Sequence, residues 1–403
     1  MTLSVRAAIA TICALTAVSW TAAQSPPPRA NQELESLQAH FQIVIKRRHD
    51  QLFSGIRSIQ QWEKRKQQTR AALQRMLWHD LTWPDRPPRA TMTSRQDYAT
   101  YTVENLVLET VPGVFLTANL YLPRGAATPV PVLLYQCGHA SKSLFRRHGA
   151  WFASHGMAML VMDNIEMGEI EFTHHGVYAN AWFHWYSRGF SPLAVELLNA
   201  RRAVDYLVTR PDLDRGRIGA TGRSGGGMTT FFLAALDDRI AASAPVSGTL
   251  STKGWIEHRG SRALEQNLRS FTDDDLLHHM KRQAMVAGTT LESMQVYEVL
   301  RSLELLRSLP DVDAGQITIL GKGADGVNGM YAAVLDAKVS RVVLHSPPAS
   351  HVHGPHYLGI LRYTDIPETA GLLGDTVRIL GETPDPLRSV KACPSLQECL
   401  RNH

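Results

Sequence analysis

The chain has 403 residues, 44% of them apolar, and a formal net charge of +5. That length exceeds one small domain, and that apolar content supplies a substantial core, which excludes wholesale disorder. Much of the basic excess sits in "IKRRHD" and "EKRKQQTR" within a helical stretch, with no nucleic-acid module nearby. A solvated helix face is therefore expected, and no nucleic-acid partner.

The first residues, "MTLSVRAAIATICALTAVSWTAAQ", have the parts of a secretory signal. Arg6 supplies the positive end, Ala7 to Val18 the apolar run, and Thr21 to Ala23 small residues for cleavage near Ala23. The run is shorter than the ~20 residues that span a bilayer, and no later segment is long and apolar enough. The expectation is an exported chain, periplasmic or extracellular, with no stable membrane span. Cys13 leaves with the signal. An oxidising compartment would permit a disulfide between Cys393 and Cys399, leaving Cys137 as a thiol. The cysteine spacing fits no zinc finger.

After a flexible start, residues 31 to about 78 carry apolar positions at helical spacing and predict two helices. "LTWPDRPPRA" ends them. The β-branched and aromatic runs on either side of Val111-Pro112-Gly113 predict an antiparallel hairpin. From Pro129 the rhythm changes. "PVPVLLYQCG" and "MAMLVMD" read as buried strands with the short helix "HGAWFASHG" between them. "SPLAVELLNARRAVDYLVTR" reads as a helix with Ser191 as N-cap and Pro192 in its first turn. "RIGATG", "GGGMTTFFLAALDD" and "IAASAPVSG" follow as strand, helix and strand. Alternation of this kind predicts an α/β fold, a mostly parallel sheet with helices on both faces.

A shift of 99 residues aligns Pro211 with Pro310 and, without gaps, Asp212 with Asp311, Ile218 with Ile317, Gly222 with Gly321, Gly227 with Gly326 and Asp237 with Asp336. The copies are too few and too long for a solenoid. They suggest a partly duplicated α/β unit. The expected organisation is a signal at 1–23, a helical region at 24–90, an α/β core at 91–250, a helical insertion at 251–300 and a partial repeat at 301–403.

Gly222-Arg223-Ser224-Gly225-Gly226 fits G-x-S-x-G between a strand and a helix, the setting of a nucleophile elbow. Ser224 would sit at a helix N-terminus, where N–H groups favour developing negative charge. The loop after "LLYQCG" is placed to give a second oxyanion donor, from the backbone near Gly138 or His139, beside that of Gly225. The plainer alternative is a glycine-rich turn that binds phosphate or nothing. The side chain of His139 reads equally as that of a plain loop histidine.

"YQCGHASKS", "WFASHGMAMLVMDNIEMGEIE", "SRGFSPLAVELLNARRAVDYLVTRPDLDRGRIGATGRSGGG" and "AALDDRIAASAPVSG" resemble bacterial α/β-hydrolases of the acetylxylan-esterase-like group. These are carbohydrate esterase relatives of dienelactone hydrolase-like proteins. The resemblance covers residues 97 to 250, and the second copy looks like the end of longer tandem members. It implies a serine esterase acting on acyl groups of plant polysaccharides. Composition and spacing alone imply only a serine hydrolase; the resemblance adds a small or polysaccharide ester as its partner, and no cofactor is expected.

A serine nucleophile needs a base, and the base an orienting acid. In this fold they normally follow the serine on later strands, which the first copy lacks. Asp385 or Glu382, after "TVRILG", is a candidate acid. His353 and His356 of "HVHGPH" are the candidate bases. His351, His258 and the terminal His403 are weaker ones. Trp182, Trp185 and Tyr186 of "YANAWFHWYSRGF" are candidates for stacking on a sugar, or else local core. Gly321-x-Gly323-x-x-Gly326 mimics a dinucleotide fingerprint, but "VSRVVLHS" lacks the acid that would follow. It reads better as an elbow with Gly323 in place of Ser224. "HVHGPH" has no partner carboxylate at ligand spacing, so no metal is expected. The rival to the esterase is a non-catalytic relative that binds carbohydrate.

Overall fold

The computed structural model describes residues 28–400, apart from 52–53, 80, 166, 171–179, 181, 249–279, 283, 286 and 311. The expected signal and most of the expected insertion lie outside the described residues. The described chain forms a seven-stranded and a four-stranded sheet. It divides into two compact units. One comprises residues 50–182 and 190–262, and the other residues 1–49, 183–189 and 263–403.

In the seven-stranded unit, helix α2 (Ile59–Trp78) is capped by the Ser58 hydroxyl, which accepts from Gln61 N at 3.2 Å. Its charged face is exposed, and only Leu77 and Trp78 at its end are buried. Strand β1 (Arg89–Asp97) pairs antiparallel with β2 (Tyr101–Val111). β2 pairs with β3 (Val114–Pro123) through the turn at Gly113, whose φ of 80° suits a residue without Cβ. The hairpin expected at that turn is therefore present. β1 has no apolar alternation and every residue is exposed, which is why the sequence does not signal it.

β4 (Val130–Gln136), α3 (Arg146–Ser154), β5 (Ala158–Met162), α4 (Pro192–Leu207), β6 (Leu213–Arg223), α5 (Gly225–Leu236) and β7 (Ile240–Val246) follow in chain order. The sheet order is β1-β2-β3-β5-β4-β6-β7, parallel from β5 to β7. Ser191 caps α4 by accepting from Ala194 N at 3.2 Å. β5 is buried along its whole length, as a strand covered on both faces must be. Leu134, Leu160, Leu197, Val204 and Ile218 belong to the main core.

In the other unit, the described part of helix α1 (Pro28–Gln51) buries Phe41 with Ala284 and Ala287. Helix α6 (Leu291–Ser308) is capped by the Thr290 hydroxyl. β8 (Thr318–Lys322), α7 (Gly323–Leu335), β9 (Arg341–His345), α8 (Ile366–Leu373), β10 (Val377–Leu380) and β11 (Ala392–Cys393) complete it. The sheet order β11-β10-β9-β8 is parallel throughout. Cys393 and Cys399 are buried in one small apolar cluster as thiols, without the disulfide that the sequence would permit. Burial and the neighbouring thiol push Cys399 up to about 12.

Candidate active site

β6 runs into Ser224 and α5 begins at Gly225. Ser224 has φ 60° and ψ −120°, a region that costs an L-residue roughly 1–3 kcal/mol. Its N–H donates to Val246 O of β7 at 2.9 Å, which helps hold the turn in place. The turn is wedged against β4: a Cβ on Gly226 would lie 1.9 Å from Gln136 O. The first N–H groups of α5, from Gly225 on, have no acceptor within the helix.

The loop after β4 meets this turn. A Cβ on Gly138 would lie 2.4 Å from Arg223 O and 3.1 Å from the amide nitrogens of Gly225 and Gly226, so only glycine allows the approach. The next residue, His139, places Nδ1 2.9 Å from Ser224 Oγ. A hydroxyl beside an imidazole nitrogen at that distance can pass it a proton. The sequence had suggested only a backbone role at His139, and the imidazole contact, across 85 positions of chain, has no local signal.

The same loop is fastened to the end of β5. Asn164 Nδ2 donates to Gly138 O at 2.6 Å. Lys142 N donates to Asp163 Oδ1 at 2.6 Å, and Lys142 Nζ to Asp163 Oδ2 at 2.5 Å. Lys142 Nζ also pairs with Glu169, and Thr117 Oγ1 donates to Asp163 Oδ2 at 2.8 Å. Burial works to lower the Lys142 pKa, but the bonds to Asp163 and Glu169 outweigh it and hold the ammonium above its ordinary value. Burial, with the Asp163 charge, raises the Cys137 thiol, so Cys137 stays protonated and is no competing nucleophile. Neither Lys142, Asp163 nor Asn164 was singled out by the sequence. The available signal was an acid and an amide closing the wholly apolar strand "MAMLVMDN".

The remaining candidates lie in the four-stranded unit, except Trp182. Asp385 is exposed and lies 2.6 Å from Arg388 Nη2. Glu382 is exposed, and its N–H donates to Ser346 Oγ at 3.3 Å. His356 Nδ1 lies 3.1 Å from the buried Ser187 Oγ. Burial, opposed by Glu292 and aided by Lys281, pushes His356 down to about 4. His351 is fully buried between Pro355 O at 2.7 Å and Tyr331 Oη at 2.8 Å, and burial lowers its pKa as well. His353 is exposed. Trp185 and Tyr186 are half-buried on the single turn His184–Ser187, where Tyr186 O accepts from Gly359 N at 2.7 Å. His258 and His403 lie outside the described residues. Among the described residues no group of three or more His, Cys, Asp or Glu side chains is placed to hold a metal ion. No helix among them is long and apolar enough to cross a membrane.

Residues 88–254 match the family model for acetyl xylan esterase, AXE1, and span β1 to β7 with the Ser224 turn. This segment is an acetylxylan-esterase-like α/β-hydrolase domain. No curated protein matches the chain. Among solved structures, a methylesterase is 25% identical, with 55% of this chain and 47% of that one covered and a TM-score of 0.40. An acetyl xylan esterase from Paenibacillus sp. R4 is 21% identical, with coverage of 55% and 70% and a TM-score of 0.40. Acetyl xylan esterase 1 from Thermoanaerobacterium sp. is 14% identical, with coverage of 67% and 83% and a TM-score of 0.43. The chain thus spans about half the length of the first of these. None of these scores reaches 0.5, so whole-chain likeness decides nothing about activity.

Proposed function

We propose that the chain is an exported serine carboxylesterase that removes acyl groups from plant polysaccharides or related esters. The observation that carries this is Ser224 at a strained strand-to-helix turn with His139 Nδ1 at 2.9 Å, inside the matched segment. In this reading Ser224 Oγ attacks the ester carbonyl carbon while its proton passes to His139 Nδ1. The carbonyl oxygen becomes an oxyanion that accepts from the Gly225 N–H and from the backbone of the Gly138 loop. Collapse breaks the bond to the sugar oxygen, which leaves with the proton held by His139. Water then attacks the acyl-serine by the same sequence, returning Ser224 and releasing the acid.

His139 takes the base role ahead of His353 and His356 because its nitrogen is the one observed beside Ser224. His356 is also poorly suited, since a pKa of about 4 leaves a weak base at neutral pH. Trp182 remains a candidate sugar platform at the edge of this unit. The rival reading is a carbohydrate-binding relative without turnover.

The test is a fluorophosphonate probe on the purified protein, followed by peptide mapping and an assay on acetylated xylan oligosaccharides. Exclusive labelling of Ser224, acetate release, and loss of both in His139→Ala but not in His353→Ala are expected. A folded protein unlabelled at Ser224 that still binds the oligosaccharides would establish the binding-protein reading instead.

A further inference from the structure

We propose that Asp163, Lys142 and Asn164 form a clamp that positions the loop of Gly138 and His139 against Ser224. This deepens the esterase reading and rests on it. The loop leaves β4 at Cys137 and reaches a single 3-10 turn, Lys142–Phe145, that leads into α3 at Arg146. Both of its assigned tasks depend on placement at the level of a few tenths of an ångström, as oxyanion donation and proton transfer do.

The clamp grips the loop at both ends. At Gly138, Asn164 binds the carbonyl oxygen at 2.6 Å and so fixes the peptide that links Gly138 to His139. Three residues after His139, Asp163 takes the Lys142 amide and ammonium at 2.6 and 2.5 Å. Asp163 is fully buried and Lys142 nearly so. A buried carboxylate with three donors is held in one orientation, because any rotation would leave a buried charge unpaired. The turn at Gly168 closes over it: with φ 79°, a Cβ there would lie 2.5 Å from the Asp163 carboxylate. Asp163 and Asn164 follow β5 directly, and β5 pairs with β4. The clamp is therefore built from the strand next to the one that carries the loop. None of the three residues touches Ser224 in the described contacts; they act through the loop.

Two measurements on the full chain test the clamp. The first is the rate of fluorophosphonate labelling at Ser224, with kcat and KM, for wild type, Asn164→Ala and Asn164→Ser. The control is Arg70→Ala, which breaks the ion pair with Asp238 elsewhere in the same unit. The second is amide hydrogen exchange over residues 139–142. Asn164→Ala should label about 10²-fold slower, with kcat reduced and KM little changed. Exchange in 139–142 should rise about tenfold while exchange in β4 and β5 stays at the wild-type level. Arg70→Ala should move neither readout. Asn164→Ser, which leaves the buried Asp163–Lys142 pair intact, separates placement from folding: if Asn164→Ala fails to fold, the same pair of shifts is read on it. Wild-type labelling and exchange in both clamp variants would overturn the proposal. If the wild type itself is not labelled, the esterase reading falls, and the clamp is judged on exchange alone, where an unchanged 139–142 segment overturns it.

Discussion

The two strand–turn–helix elements that lie 99 positions apart share a backbone and differ in chemistry. Ser224 has φ 60° and Gly323 has φ 57°. Ser247 and Ser346, which follow the next strand in each case, also share a positive φ, at 52° and 47°. Each element opens with an aspartate whose Oδ1 accepts the backbone N–H two residues on, at 2.9 Å in both. The turn therefore does not need a serine. Glycine adopts it at no steric cost, whereas serine bears strain. What separates them is the strand on the other side. β6 lies between β4 and β7, so the loop after β4 brings Gly138 and His139 to the turn. Among the described residues β8 is at the end of its sheet and pairs only with β9. The strained serine sits where a neighbouring loop supplies partners for it.

The largest expected effect is at the first turn. Ser224→Ala should lower ester hydrolysis by about 10⁴-fold or more, and Gly323→Ser should not restore it when combined with that change. Turnover in the double variant would show that the turn alone suffices and would break the comparison. Gly138→Ala should come next. A Cβ 2.4 Å from Arg223 O forces the loop away, and labelling at Ser224 should slow by about 10²-fold. A labelling rate equal to wild type would mean that the loop does not serve the serine.

Titration separates the two units further. His356, lowered to about 4, favours the neutral form in the folded chain, while the unfolded chain binds a proton near pH 6.5. The folded state is thus supported above pH 6.5 and loses that support as the pH falls towards 4, by about 3 kcal/mol at most. Urea midpoints at pH 7 and pH 4.5 should differ less in His356→Gln than in wild type. The smallest effect sharpens the strain argument itself. Gly323→Ser should destabilise by about 1 kcal/mol and Ser224→Gly stabilise by a similar amount, read from urea unfolding. Equal and negligible shifts at both sites would remove strain from the account.

Much of this was legible in the chain. The buried strands β4 and β5 declare themselves by continuous apolar runs, α4 by Ser191 and Pro192 at its start, and the Ser224 turn by the glycines its tight approach demands. These are local signals, set by side chains within a few positions of each other. β1 gave no signal because its residues are exposed and mostly polar, with no apolar alternation. The base and acid were sought among His353, His356 and Asp385, although histidines ahead of the acid depart from the order usual for the fold. They stand in the four-stranded unit, while the imidazole beside Ser224 comes from a loop before it in the chain.

Sequence by itself determined the α/β class, the succession of elements and the one serine placed at an elbow, because period, capping and backbone strain act over short distances. Tertiary structure decided which loop meets that serine. The order β5-β4-β6 sets Asn164, Gly138 and Ser224 on adjacent strand ends, and lateral strand order is a matter of long-range pairing that no local spacing records.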